Sequence, residues 1–224
     1  MGVPPCGVRS LARMLKPFSL TFFEYEDGDA FGKLCALLSC APIFVIVAFV
    51  ALAASRRDLA TLAFLLGQLL NELVNAALKR AIREPRPPSQ LRHSGPTDYG
   101  MPSAHAQFGF FFLTYFAAWA LRHWRVSAFW RTASIGCVAC GAGAVSYSRV
   151  YLRYHSINQV LAGAGVGVGA GLLYFAWVEA ALRPRFAALA GSALGCALWL
   201  RDCTHVNNVL LEEYKAVAGK GHKR

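Results

Sequence analysis

Charge is scarce in this sequence: Asp, Glu, Lys and Arg make up 16% of its 224 residues, against about 25% in soluble domains. Acidic residues are scarcer still, 12 against 23 Lys and Arg, for a formal net charge of +11. With 56% hydrophobic residues and a mean hydropathy of +0.39, the composition points to a polytopic membrane protein. The length suits one compact unit without a second soluble domain. Nucleic-acid binding is not expected, because the cations are interrupted by spans too apolar for a soluble domain. A cleavable leader is not expected: the first 20 residues hold Pro4, Pro5, Arg9, Arg13 and Lys16 with no apolar core, so the first span is expected to direct insertion. The chain has no Asn-x-Ser/Thr acceptor. No disulfide framework is visible. Cys6, Cys35, Cys40, Cys137, Cys140, Cys196 and Cys203 are scattered, mostly through apolar runs where Cys acts as a small hydrophobe. Cys137 and Cys140 have zinc-like spacing but lack a second ligand pair, so a metal site is not expected there, and no motif calls for another cofactor.

What is present is a series of apolar spans. Residues 34–54 are almost uninterrupted, long enough to cross about 30 Å of hydrocarbon. Residues 59–78 follow, with Gln68, Asn71, Glu72 and Asn75 marking an inward face. Further spans are expected at 104–121, at 133–147 (short unless it starts near Phe129) and at 157–178. Residues 186–200 are apolar but short, which leaves a sixth span open. The expected fold is therefore all-α, a membrane bundle of five to six helices. The core runs over 34–200, between a non-spanning segment at 1–33 and a tail at 201–224. In 157–178, Gly163, Gly165, Gly167, Gly169 and Gly171 alternate, and small residues let helices approach closely.

Sidedness follows from arginine. The turns at 56–58, 122–132 and 182–185 share one side and carry Arg56, Arg57, Arg122, Arg125, Arg131, Arg183 and Arg185, the pattern of a cytosolic face. The segments at 79–102 and 148–156 share the other side. They too hold cations (Lys79, Arg80, Arg83, Arg86, Arg92, Arg149 and Arg153), against the topology rule. An anionic substrate is the simplest reason to retain them.

Three segments converge there. Lys79 and Arg86 stand seven residues apart, with Pro85 and Pro87 stiffening the backbone at Arg86. An ammonium and a guanidinium fork suit phosphate oxygens, although such a cluster alone is more often a helix end reaching for the interface. Pro102 and Ser103 read as a helix start, an anion site by its free N–H groups, with His105 in the first turn. In the third segment, Arg149 offers another phosphate contact. His155 and Gln159 are i and i+4, so the carboxamide can fix an imidazole nitrogen.

Lys79-x6-Arg86-Pro87, Pro102-Ser103-Ala104-His105 and Ser148-Arg149-x5-His155 resemble the three-part signature of the type 2 phosphatidic acid phosphatase superfamily. That resemblance implies a six-helix membrane core and metal-free cleavage of phosphate esters and anhydrides. It extends to the dolichyl diphosphatase branch through Phe44-Val45-Ile46-Val47, Asn71-Glu72, Glu84-Pro85-Arg86-Pro87, Tyr99-Gly100-Met101-Pro102-Ser103 and the run Val145 to Leu152. Glu24-Tyr25, Arg201-Asp202, Asn208-Val209-Leu210 and Glu213-Tyr214 continue it over roughly residues 20–215. Two positions depart from the superfamily. Ala104 replaces a Gly or Ser, and Gln159 stands where Asp is usual, as it does in the dolichyl diphosphatase branch. A carboxamide orients a neutral imidazole but stabilises an imidazolium less than a carboxylate would. Either activation is weaker, or Glu84 or Asp98 substitutes.

The resemblance implies these roles: His155 as nucleophile, Lys79, Arg86, Ser103 and Arg149 around the phosphate, and His105 as proton donor and then base. It implies dolichyl diphosphate as the lipid partner and a lumenal site in the endoplasmic reticulum membrane; no protein partner is indicated. The aromatics Phe108, Phe110, Phe111, Phe112, Tyr115, Phe116 and Trp119 either line a path for a polyprenyl chain or simply pack. Rival readings are a broader lipid phosphatase, a silent lipid-binding protein (favoured by Gln159, opposed by both histidines) and, less well supported, a channel.

Overall fold

The computed structural model describes residues 15–18, 23–88, 99–206 and 209–221. Cys6, Arg92, Asp98 and Asn208 lie outside them, as does most of the basic C-terminal end. Strands β1 (Leu15–Phe18) and β2 (Phe23–Glu26) form an antiparallel pair. Helices α1 (Ala30–Leu38), α2 (Ala41–Arg56), α3 (Leu59–Ile82), α4 (Ala104–His123), α5 (Ala128–Tyr151) and α6 (Ile157–Trp177) follow. The fold is the expected helical membrane bundle, with the small hairpin as an addition.

By length and composition, Ala30–Arg56, Leu59–Ile82, Ala128–Tyr151 and Ile157–Gly191 can each cross a membrane. Helix α4 is also 20 residues long, about 30 Å. His105, Gln107, Arg122 and His123 make it more polar, and it is packed against α3, α5 and α6. A polar helix is tolerated at that depth because protein rather than lipid surrounds it.

Boundaries differ from the apolar runs in instructive ways. The first span breaks at Ser39 and Cys40, where Pro42 restarts the helix at its first turn. The fourth begins at Ala128, close to Phe129, and so reaches full length. Beyond α6 the chain passes through a π-helical turn (Val178–Leu182) and a short 3-10 turn (Arg183–Arg185) into α7 (Phe186–Gly191) and α8 (Ala193–Ala197). Residues 186–200 therefore do not make a sixth span: two helices of six and five residues, split at Ser192, are far too short. The chain returns to the α2–α3 turn, where the Arg201 N–H donates to the Arg57 carbonyl and the Leu59 N–H to that of Arg201 (2.8 and 3.0 Å). Asp58 caps α3 through Thr61 N and also accepts from Cys203 N. Helix α9 (Val209–Gly221) follows.

The alternating glycines divide by face. A Cβ at Gly163 would lie 2.5 Å from the Ser103 carbonyl oxygen, and one at Gly171 3.0 Å from Thr114 Cβ. One at Gly167 would clash with the Gln107 carbonyl. These three seat α6 on α4, whereas Gly165 and Gly169 face open space. The same face fixes the level of the α4 N-terminus against α6, and with it the two histidine-bearing segments. Opposite, α3 is fastened to α4 by buried amides: Gln107 Nε2 donates to Asn71 O and Oδ1 (2.9 and 2.8 Å), and Asn75 Nδ2 donates to Gln107 Oε1 at 2.8 Å. Asn71 and Asn75 thus mark the inward face of α3, as its polar pattern indicates. At the far end, Glu179 accepts from Arg122, His123 and Arg183 within 3.0 Å, joining α4 to the turns that follow α6.

Candidate active site

The C-terminal ends of α3 and α5 and the N-terminal ends of α4 and α6 meet at one end of the bundle. Arg149, in the last turn of α5, and His155, just before α6, are almost fully buried, with 2% and 3% of their surface exposed. Residues 152–155 turn back sharply, and the N–H groups of Tyr154 and His155 both donate to the Arg149 carbonyl (3.0 and 3.1 Å). Ser156 then caps α6, its Oγ accepting from Gln159 N.

The hydrogen bonds around Gln159 fix the tautomer of His155. Gln159 Nε2 lies 2.8 Å from Glu84 Oε1 and 2.8 Å from the Pro85 carbonyl. Both are acceptors, so the amide nitrogen must face them and Oε1 must face His155. That oxygen is 3.2 Å from His155 Nδ1, and it also accepts from Ser156 N. Nδ1 therefore carries the hydrogen, and Nε2 keeps its lone pair. Arg86 Nη1 stands 3.1 Å from Nε2 and donates as well to the Tyr154 carbonyl at 3.3 Å. Burial, then Arg86, Arg149 and Lys79, pull the His155 pKa down to about 2, against the opposing bond from Gln159. The ring is neutral and its free nitrogen points at a guanidinium.

Gly100 is needed for space. A Cβ there would come within 2.6 Å of both amide atoms of Gln159. Gly100 is held there because its N–H donates to the Glu84 carbonyl at 2.7 Å, beside a bridge between Pro85 and Tyr99. The two ends of the α3–α4 connection thus clamp the amide from both sides.

His105, in the first turn of α4, has Nε2 3.0 Å from the Ser39 carbonyl. Since a carbonyl only accepts, Nε2 carries a hydrogen, and Nδ1 is the nitrogen left to act as a base. Arg149 Nη1 donates to Ser39 Oγ at 2.9 Å, and its guanidinium lies over the Tyr154 ring (4.2 Å) and the Phe23 ring (5.0 Å). Ser103 is enclosed. Its N–H donates to the Gln159 carbonyl, so it is not free for an anion, and its Oγ has no hydrogen-bond partner among the described residues. Lys79 stands in the last turn of α3 and adds positive potential at His155.

The sequence-chosen residues His105, His155, Lys79, Arg86, Ser103, Arg149 and Gln159 therefore gather at one end. Sequence reasoning missed Ser39 and Phe23. Ser39 had a faint signal, since Pro42 marks a helix restart just after it; Phe23 had none. Cys137 and Cys140 lie exposed on α5. A cavity of about 310 Å³ adjoins His105, lined by Pro42, Ile43, Ile46 and Val47 of α2, Glu72 of α3, and Ala104 and Phe108 of α4. Ile43 and Val47 are at least half exposed, so the cavity reaches the lipid-facing surface of α2. Of the α4 aromatics, Phe108 lines it. Phe111 and Tyr115 belong instead to the core with Leu59, Ala63, Val178 and Phe186, and Phe112 stacks on Phe64.

The profile of the PAP2 superfamily matches residues 60–183. The chain is 40% identical over 229 residues to human "Dolichyldiphosphatase 1", covering 97% of this chain and 94% of the human one. It is 34% identical to "Lipid phosphate phosphatase gamma" of Arabidopsis thaliana, over 91% and 92% of the two chains. A crystal structure of a transmembrane PAP2-type phosphatidylglycerolphosphate phosphatase from Bacillus subtilis shares the fold. Its TM-score is 0.58 and its identity 22%, over 66% of this chain and 77% of that one.

Proposed function

The chain belongs to the PAP2 superfamily, and on that footing we propose that it hydrolyses dolichyl diphosphate to dolichyl phosphate and phosphate. The observation that carries this reading is the lone pair of His155 Nε2, held by the Gln159–Glu84 pair and facing Arg86. Its relatives named as dolichyldiphosphatases match nearly the whole chain, which supports the substrate.

In the reaction, the terminal phosphate displaces Arg86 from Nε2. Arg86, Arg149 and Lys79, with the Ser103 hydroxyl, surround its oxygens. Nε2 attacks the terminal phosphorus, the bond to the bridging oxygen breaks, and lipid monophosphate leaves. The leaving phosphate is far less basic than an alcohol, so it departs with little help from an acid. Water then attacks the phosphohistidine while Nδ1 of His105 takes its proton, the N–P bond breaks, and phosphate is released. His105 therefore matters more as base than as acid. Gln159 orients His155 throughout. No step calls on a metal or a cofactor.

The cavity between α2 and α4 gives a prenyl chain a route from the bilayer to His105. The catalytic core is taken as 34–200, with 1–33 and 201–224 as flanking segments. The arginine-rich turns lie at the opposite end, which supports a lumenal site in the endoplasmic reticulum membrane. A broader lipid phosphatase is the second reading, favoured by the likeness to lipid phosphate phosphatase gamma.

The test is phosphate release from dolichyl diphosphate by purified protein in detergent with excess EDTA. Wild type should turn over and His155→Ala should not. Full activity in His155→Ala would sink the scheme. A lipid panel ranked by kcat/KM separates the two substrate readings.

A further inference from the structure

One aromatic ring from outside the helical core packs against the site. Phe23 of β2 lies edge-on to His105 and to Tyr154, with centroids 6.0 Å apart in each pair, and its face is 5.0 Å from the Arg149 guanidinium. A single side chain thus touches a phosphate-binding cation, the second histidine and the segment carrying the first. The strand is pinned by its own backbone, as the Glu24 N–H donates to the Tyr154 hydroxyl at 3.0 Å. Phe23 and Tyr25 also pack on Cys35, Ala36, Leu152 and Tyr154. On the other side the 310 Å³ cavity beside His105 opens between Ile43 and Val47 toward the membrane. A ring thus stands over Arg149 and beside His105, while the cavity beside His105 reaches the lipid-facing surface of α2.

We infer that Phe23 determines specificity: as a roof over Arg149 and His105, it excludes diphosphates that arrive from water and admits those carried by a membrane-embedded chain. This inference rests on the phosphatase reading above. The ring also lies over the buried Arg149 guanidinium, and a cation held away from water binds phosphate more strongly.

The experiment compares kcat/KM for geranyl diphosphate, which is soluble, and for dolichyl diphosphate in detergent micelles. Wild type is set beside Phe23→Ala and Tyr154→Phe, the latter keeping its ring but losing the bond from Glu24 N. Phe23→Ala should shift the ratio about tenfold toward the soluble substrate, and Tyr154→Phe should shift it in the same direction by less. Equal loss on both substrates, or an unchanged ratio, overturns the inference. If Phe23→Ala does not fold, the ratio in Tyr154→Phe decides by itself. Failure of wild type to release phosphate from either substrate overturns instead the phosphatase reading on which the inference rests.

Discussion

Glu84 and Gln159 are joined by a hydrogen bond of 2.8 Å from the amide nitrogen to the carboxylate, and through it Glu84, with the Pro85 carbonyl, helps set the tautomer of a histidine it does not touch. In the wider superfamily pattern the carboxylate follows the histidine by four residues. Here the carboxamide occupies that place and the carboxylate stands one step behind it. The arrangement orients a neutral ring without placing an anion directly against it. Among the two substitutes the sequence offered for the missing Asp, Glu84 holds this position; Asp98 lies outside the described residues.

Replacing Glu84 with Gln weakens the hold on the Gln159 amide, because its partner can then donate as well as accept and the orientation rests on the Pro85 carbonyl and the Ser156 N–H. A hydrogen bond to a charged group contributes about 1.5–3 kcal/mol, so kcat should fall roughly 10- to 100-fold with KM little changed. Steady-state kinetics on dolichyl diphosphate check this; an unaltered kcat refutes the role.

Gln159→Asp brings a negative charge to Nδ1 but is too short to reach Glu84. The carboxylate favours the charged imidazole, so the His155 pKa should rise from about 2. An acid limb should then enter the kcat/KM profile of the variant, absent from wild type over the same range. Matching profiles for the two proteins would contradict the assignment of the tautomer.

The same depressed pKa has a stability consequence. An unfolded histidine titrates near about 6.5, whereas folded His155 refuses the proton until about 2. Its contribution is therefore complete above pH 6.5 and is lost as pH falls from there. Between pH 7.5 and 5, thermal unfolding in detergent should show Tm falling more steeply for wild type than for His155→Ala. Parallel curves would count against a buried neutral ring.

A methyl group at Gly100 would meet the Gln159 amide. Gly100→Ala should reduce kcat about tenfold or more by displacing that amide, well below the temperature at which the overpacked variant begins to melt. Parallel measurement of kinetics and melting separates this from simple unfolding.

On α6, Gly167→Val should destabilise by about 1–3 kcal/mol, because the Cβ has no room beside α4. Gly165→Val, in open space, should be close to neutral. Thermal melts of the two in one detergent test the division; equal shifts would refute it.

The sequence alone determined the helical membrane character, because spans of about 20 apolar residues have no other stable use. It also gathered the candidate residues: Lys79, Arg86, His105, Arg149 and His155 all fall where successive spans end on one side, and they lie together at one end of the bundle. Tertiary structure decided what spacing cannot encode. Residues 186–200 are apolar enough to suggest a span, but they break at Ser192 and return to the α2–α3 turn. The five alternating glycines look equivalent until α4 lies against three of them. Ser39, Phe23 and Glu84 acquire their roles only through contacts with Arg149, His105 and Gln159, 66 to 126 positions away in the chain for all these pairs. A hydrogen bond depends on distance in space, and the chain brings those atoms together only once the helices pack.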